Sequence, residues 1–134
     1  MIIQPITINQ IERIKEIYAS CHWKSYLNDD DKLKRALENS LDIQGIFVNN
    51  QLIGFIRLVG DGEHILLIQD LIILPDYQHQ GYGTKLLHHI LDKYKHVRMI
   101  TLFTDAYDKV DNAFYQKHNF DLIIHKDMVS YIKK

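Results

Sequence analysis

Cysteine is nearly missing from this chain: Cys21 stands alone among 134 residues. No internal disulfide can form, so the fold rests on non-covalent packing, which suits a reducing cytosol and makes a cytoplasmic location the expectation. Charge of one sign is missing too. Sixteen basic against 17 acidic residues leave a formal net charge of −1, which argues against a chain built to coat nucleic acid or an anionic membrane. No apolar run approaches the roughly 18 residues of a membrane span; Gln69 and Asp70 interrupt the longest one. Residues 1–5 lack a basic stretch followed by a long apolar one, so no signal peptide is expected. The 8 histidines contain no H-E-x-x-H, His88 and His89 are adjacent, and the others are scattered, so no metal site is expected. Repeats, low-complexity tracts and interdomain linkers are also absent.

What is present suits one domain over residues 1–134, with 46% hydrophobic and 25% charged residues, long enough to bury a real core. Residues 2–6 read as a short strand. Thr7-Ile8-Asn9-Gln10 matches a capping box, and Ile11, Ile14 and Tyr18 form a helix stripe behind it. Asn28 followed by Asp29, Asp30 and Asp31 predicts a second helix start, with Leu33, Ala36 and Leu37 as its buried face. Strands over residues 45–48 and 52–59 are joined by Asn49-Asn50, a good hairpin pair. Asp61-Gly62 turns the chain into an apolar strand over residues 65–74. A helix to about residue 95, a strand over 97–104 and a helix over 110–118 follow, with last strands at 122–124 and 128–132. Strand pairs before a helix, then strand–helix–strand, predict an α/β fold. Its sheet is mixed and mostly antiparallel, with helices on both faces and one parallel pair joined by a right-handed crossover.

The turn between the apolar strand and its helix carries the functional signal. Gln78, His79, Gln80, Gly81, Tyr82 and Gly83 are followed by Thr84, Lys85 and the helix pattern Leu86, Leu87, Ile90, Leu91, Tyr94. A strand that turns through glycines into a helix leaves unpaired backbone N–H groups at the positive end of the helix dipole, and such groups bind phosphate. Glycine sets no Cβ in the way and tolerates positive φ. The spacing fits neither the dinucleotide fingerprint nor the P-loop; it reads Gln-x-x-Gly-x-Gly.

On these residues the chain resembles the GNAT superfamily of N-acetyltransferases, whose acetyl-CoA loop reads Gln/Arg-x-x-Gly-x-Gly/Ala. The stretch from Asp111 to Phe120, with Asn112, Phe114 and Tyr115, is similar to the family's second signature, except that Asn119 replaces the usual glycine. Asn is the commonest substitute in the left-handed position that ends a helix. The resemblance implies that the parallel strands splay and that pantetheine enters the gap like an extra strand. Gln69-Asp70 offers a cause, either as a bulge that shifts the side-chain alternation or as an end position where polar groups reach water.

The resemblance also implies the parts. Backbone N–H groups of His79, Gln80, Gly81, Tyr82, Gly83 and Thr84 anchor the pyrophosphate, with polar help from Gln78. Main-chain groups of Leu71, Ile72 and Ile73 pair with pantetheine, and Asn112 resembles a CoA-contacting asparagine. Tyr115 is the implied general acid, since a phenol of pKa about 10 stays protonated at neutral pH and can donate to a departing thiolate. The base stays open. Leu67, Gln69 and Phe103 stand at the best-matching positions and cannot take a proton; Asp70 and Asp105 are neighbouring alternatives, each able instead to cap a turn, and His22 is a third.

Acceptor selection in such proteins falls to the loop between the first two helices. Here His22, Trp23, Tyr26 and three aspartates suit a small cationic amine, though three aspartates also suit a solvated helix start. The expected activity is direct acetyl transfer from acetyl-CoA to a small primary amine, by a monomer or homodimer with no nucleic-acid or membrane partner. The alternatives are a protein or peptide acceptor, and an inactive acyl-CoA-binding regulatory module.

Overall fold

Thr7 and Gln10 open the first helix by satisfying each other's end groups. In the computed structural model, which describes residues 1–134, Asn9 N–H donates to Thr7 Oγ1 at 3.1 Å and Thr7 N–H donates to Gln10 Oε1 at 2.8 Å. This capping box starts a single 3₁₀ turn that runs into α1 (Ile11–Ser20). The second helix, α2 (Asp30–Glu38), is capped by Asp29 and not by Asn28. Asp29 holds an extended backbone and its carboxylate accepts the Lys32 N–H at 3.1 Å, the third N–H of the helix.

The chain divides into two compact units, Met1–Leu102 and Phe103–Lys134. The first holds a five-stranded sheet of β1 (Ile2–Pro5), β2 (Asp42–Val48), β3 (Gln51–Gly60), β4 (Ile65–Ile73) and β5 (Met99–Leu102), in that spatial order. All pairs are antiparallel except β4–β5, which is parallel. Asn49 and Asn50 both take positive φ, 51° and 63°, as a tight hairpin with the native strand twist requires. Between β4 and β5 runs α3 (Tyr82–Lys93). One face of the sheet packs Phe55 and Ile72 against Ile14, Ile17 and Tyr18 of α1 and Leu33 and Leu37 of α2. The other face receives α3 through the fully buried Leu86, Leu87 and Ile90. No helix is long and apolar enough to cross a membrane.

A bulge in β4 decides the geometry of the sheet's centre. Arg57 of β3 stands opposite Asp70, but the next residue, Leu58, stands opposite Ile68, so Gln69 is one residue too many for the ladder. Partners across a ladder share a face. Asp70 therefore looks with Arg57 towards α1, whereas Ile68 looks with Leu58 the other way. The parallel pairing with β5 covers Ile65 to Ile68 and stops there. The strands part where the bulge begins, so beyond it β4 keeps β3 on one side and offers a row of main-chain groups on the other.

In the second unit, Asp108 accepts the Asp111 N–H at 2.9 Å and starts α4 (Lys109–Lys117). Asn119, at φ 69°, supplies the left-handed residue after it. The two final strands expected at residues 122–124 and 128–132 do not form. A 3₁₀ turn, Ile123–Lys126, stands there, ended by Asp127 at φ 60°. Local bonds are the cause: His125 N–H reaches Leu122 O at 3.0 Å, and the His125 ring lies 2.7 Å from Asp121. Apolar runs of three to five residues bring too little burial to outweigh such local pairing.

Candidate active site

The loop after β4 is built by backbone conformations that glycine sequence patterns only half announce. Pro75–Tyr77 makes a 3₁₀ turn, His79 takes φ 62°, and Gly81 takes φ 87° as the N-cap of α3. The left-handed pair is thus His79 and Gly81, while Gly83 lies inside the first helical turn. Gly81 makes no side-chain cap bond to the first turn. An added Cβ at Gly81 would meet nothing within 4 Å, so the space before the helix end is open. A helix N-terminus whose N-cap has no side chain and whose surroundings are open attracts an anion.

The side chains of the loop are spent on holding its shape. Gln78 Nε2 donates to Ile73 O at 2.9 Å, and Gln80 Nε2 donates to Asp76 O at 3.1 Å. Gln78 is therefore a clamp between the loop and the end of β4. Its amide nitrogen also lies 3.8 Å from Cys21 Sγ, and the thiol in turn donates to Ile73 O at 3.5 Å. Tyr77 meets Tyr82 edge-on at 6.2 Å, and Lys85 Nζ lies 5.6 Å over the Tyr82 ring.

Beside the bulge lies a buried polar network that sequence reasoning did not assemble. Arg57 Nε donates to Asp70 Oδ2 at 2.6 Å; Tyr18 Oη donates to the same oxygen at 2.6 Å, and Tyr26 Oη to Oδ1 at 2.8 Å. Arg57 Nη2 and Gln69 Nε2 both donate to Tyr26 Oη, at 3.5 and 3.0 Å. The Asp70 side chain is wholly shielded from solvent and that of Arg57 is 5% exposed. Burial, reinforced by the neighbouring Asp70 charge, pushes the phenols of Tyr18 and Tyr26 above their ordinary range, so both remain proton donors. Asp70 thus corrects the expectation of a general base: both oxygens already accept hydrogen bonds, and its charge is matched by Arg57. A signal existed. Arg57 and Asp70 are the charged residues of two adjoining apolar strands, and a charge inside such a strand requires an opposite one.

The aromatic side chains of the loop between α1 and α2 pack on one another and on the core. Tyr18 stacks on Tyr26 at 4.4 Å and on Trp23 at 6.0 Å, and Trp23 lies 6.4 Å from Tyr26. Trp23 and Tyr26 are half-buried, so each keeps part of its surface towards solvent. His22 is exposed and takes φ 63°, which places it as the residue that turns the chain after α1. The three aspartates form a helix start: Asp29 caps, Asp30 accepts from Lys15 Nζ at 3.1 Å, and Asp31 is exposed.

Within the second unit, Tyr115 packs edge-on against Phe114 at 5.2 Å and Phe120 at 5.8 Å. Burial, with help from the Asp111 charge, raises its phenol well above the ordinary range. Asn112 Nδ2 donates to the carbonyls of Asp105 and Asp108 at 2.9 and 2.7 Å, which ties the turn before α4. Asp105 accepts the Tyr107 N–H at 2.8 Å, a turn-capping role. No cluster of three or more His, Cys, Asp or Glu side chains occurs that could hold a metal ion.

Residues 10–120 match the acetyltransferase (GNAT) family, and the chain belongs to it. Streptothricin acetyltransferase A of Bacillus subtilis (strain 168) is 28% identical over 108 residues, which are 79% of this chain and 62% of that protein. The match thus spans less than two thirds of that relative's length. An acetyltransferase of the GNAT family from Streptococcus pneumoniae TIGR4 superposes with a TM-score of 0.80 at 30% identity, covering 99% of this chain and 95% of that one. The PaiA N-acetyltransferase of Thermoplasma acidophilum, solved in complex with coenzyme A, shares the fold with a TM-score of 0.70 at 21% identity over 87% of each chain.

Proposed function

We propose that the protein transfers the acetyl group of acetyl-CoA directly to a primary amine of a small molecule. The observation that carries this reading is the strand-to-helix loop of the first unit, where Gly81 at φ 87° is an N-cap of α3 that has no side chain and leaves open space at its own position. The edge of β4 past Ile68 accommodates the extended pantetheine arm, with the main chain of Leu71 and the N–H of Ile73 as its hydrogen-bonding partners, because Ile72 between them turns its main-chain groups to β3 and Ile73 O is taken by Gln78 and Cys21. A backbone N–H of this edge polarises the thioester carbonyl. The amine nitrogen attacks the carbonyl carbon, the C–N bond forms, and the C–S bond breaks with its electron pair on sulfur. By its likeness to the family's general acid, Tyr115 is assigned the proton that the sulfur takes up and regains one from solvent, to which the nitrogen loses its own.

The half-buried Trp23 and Tyr26 favour a small amine with an apolar or cationic body. A relative named for streptothricin, a small-molecule acceptor, points the same way. Thiol release from acetyl-CoA across a panel of small amines and basic peptides tests the reading. Release with small amines and none with peptides supports it. Tight CoA binding without release for any acceptor replaces it with a regulatory acyl-CoA-binding module.

A further inference from the structure

Tyr26 determines which end of the Gln69 amide faces the solvent. The only proton on the Tyr26 hydroxyl is committed to Asp70 Oδ1 at 2.8 Å, so its oxygen can only accept from other neighbours. The Gln69 atom 3.0 Å away must then be the donating nitrogen, which turns the side-chain carbonyl oxygen away from the network. Within that network both Asp70 oxygens already accept hydrogen bonds, and the Tyr26 oxygen accepts from Gln69 and Arg57. Gln69 Oε1 is the acceptor left over. It sits on an exposed residue of the bulge, where β4 has just lost β5 and beside the Tyr26 ring.

We propose that the side-chain carbonyl oxygen of Gln69 receives an N–H of the acceptor amine, and that the amine is used at this site as the neutral base. The inference rests on the acetyltransferase reading above and adds to it how the acceptor is held. An amide oxygen orients an N–H but does not take its proton. The charged and titratable groups of the network that Gln69 joins do not take it either. Asp70 of β4 and Arg57 of β3 neutralise each other behind the sheet face. Tyr18 of α1 and Tyr26 of the 3₁₀ turn Lys24–Tyr26 both donate to Asp70. Met99–Leu102 of β5 carries no titratable side chain. On this proposal deprotonation precedes binding: solvent takes the ammonium proton, the neutral nitrogen forms the C–N bond as the C–S bond of the thioester breaks with its electron pair on sulfur, and the second N–H proton passes to solvent.

The test compares kcat/KM against pH for two acceptors whose amines titrate far apart, an α-amino acid amide (pKa about 8) and a simple alkylamine (pKa about 10.4). The acid limb is expected to move with the acceptor, by about two pH units between the two. An acid limb at one fixed pH for both acceptors overturns the proposal while leaving acetyl transfer intact. Absence of thiol release with either acceptor overturns the acetyltransferase reading and this inference with it. Gln69→Leu is expected to raise the amine KM about tenfold at unchanged acetyl-CoA KM, roughly the loss of one hydrogen bond; an unchanged amine KM counts against the role. Gln69→Glu places a carboxylate at the same point, and its acid limb is expected to become the same for both acceptors. The exposed position keeps both variants foldable, and their thermal midpoints verify it.

Discussion

Arg57 Nε and Asp70 Oδ2 stand 2.6 Å apart in the middle of the sheet, a solvent-excluded ion pair whose carboxylate also accepts from the Tyr18 and Tyr26 hydroxyls. Removing one charge strands the other. Asp70→Asn is expected to lower unfolding free energy by about 3–5 kcal/mol, read from denaturant titration. Replacing both, Arg57→Met with Asp70→Leu, should return most of that loss, because no buried charge is left unpaired. A single variant as stable as the parent would mean that the pair is not buried in solution.

Tyr18 gives the same network a signature at high pH. Burial first, and the Asp70 charge second, raise its phenol above the usual value. The folded state therefore keeps a proton that the unfolded chain gives up. The associated stability is complete below about pH 10, the unfolded pKa, and declines as pH rises beyond it, by about 1.4 kcal/mol per unit. Tyr18→Phe should cost about 1.5–3 kcal/mol at pH 7, for a hydrogen bond to a charged group. Its stability should then fall less steeply above pH 10 than that of the parent. Equal slopes would refute the assignment.

Tyr115→Phe removes the hydroxyl and keeps the ring packing against Phe114 and Phe120. If Tyr115 protonates the departing sulfur, kcat should fall by about a hundredfold, with both KM values within a few-fold. Because burial and Asp111 raise its phenol, the group stays protonated through neutral and mildly alkaline pH. No loss of rate from its ionisation is expected below about pH 10. Unchanged kcat in the variant would leave Tyr115 as packing alone.

Gly81→Ala puts a Cβ on a residue at φ 87°. Open space surrounds the position, so strain and not collision is the cost, about 1–2 kcal/mol. Relief of that strain by reshaping the loop should weaken coenzyme A binding about tenfold, measured by calorimetry. Wild-type affinity together with wild-type stability would remove the loop from the binding site.

The hairpin at Asn49-Asn50, the capping box at Thr7 and Gln10, the apolar strand and the glycine loop were all legible along the chain, because each depends on neighbours within a few residues. The second helix start was misplaced by one residue for the same local reason: Asn28 and Asp29 are both good caps, and backbone angles choose between them. The expected strands after residue 121 failed because a short apolar run shows periodicity without showing whether a partner strand exists for it.

By itself, then, the order of residues determined most of the elements, the bulge-prone Gln69-Asp70 step and the glycine turn before α3, since propensity and periodicity act over one or two helical turns. The fate of Asp70 was decided only in three dimensions. Along the chain it is 13 residues from Arg57, 44 from Tyr26 and 52 from Tyr18. Only the antiparallel register and the face-switching bulge bring those four side chains together, and that meeting turns an apparent base into a buried anion and leaves its neighbour Gln69 exposed at the bulge.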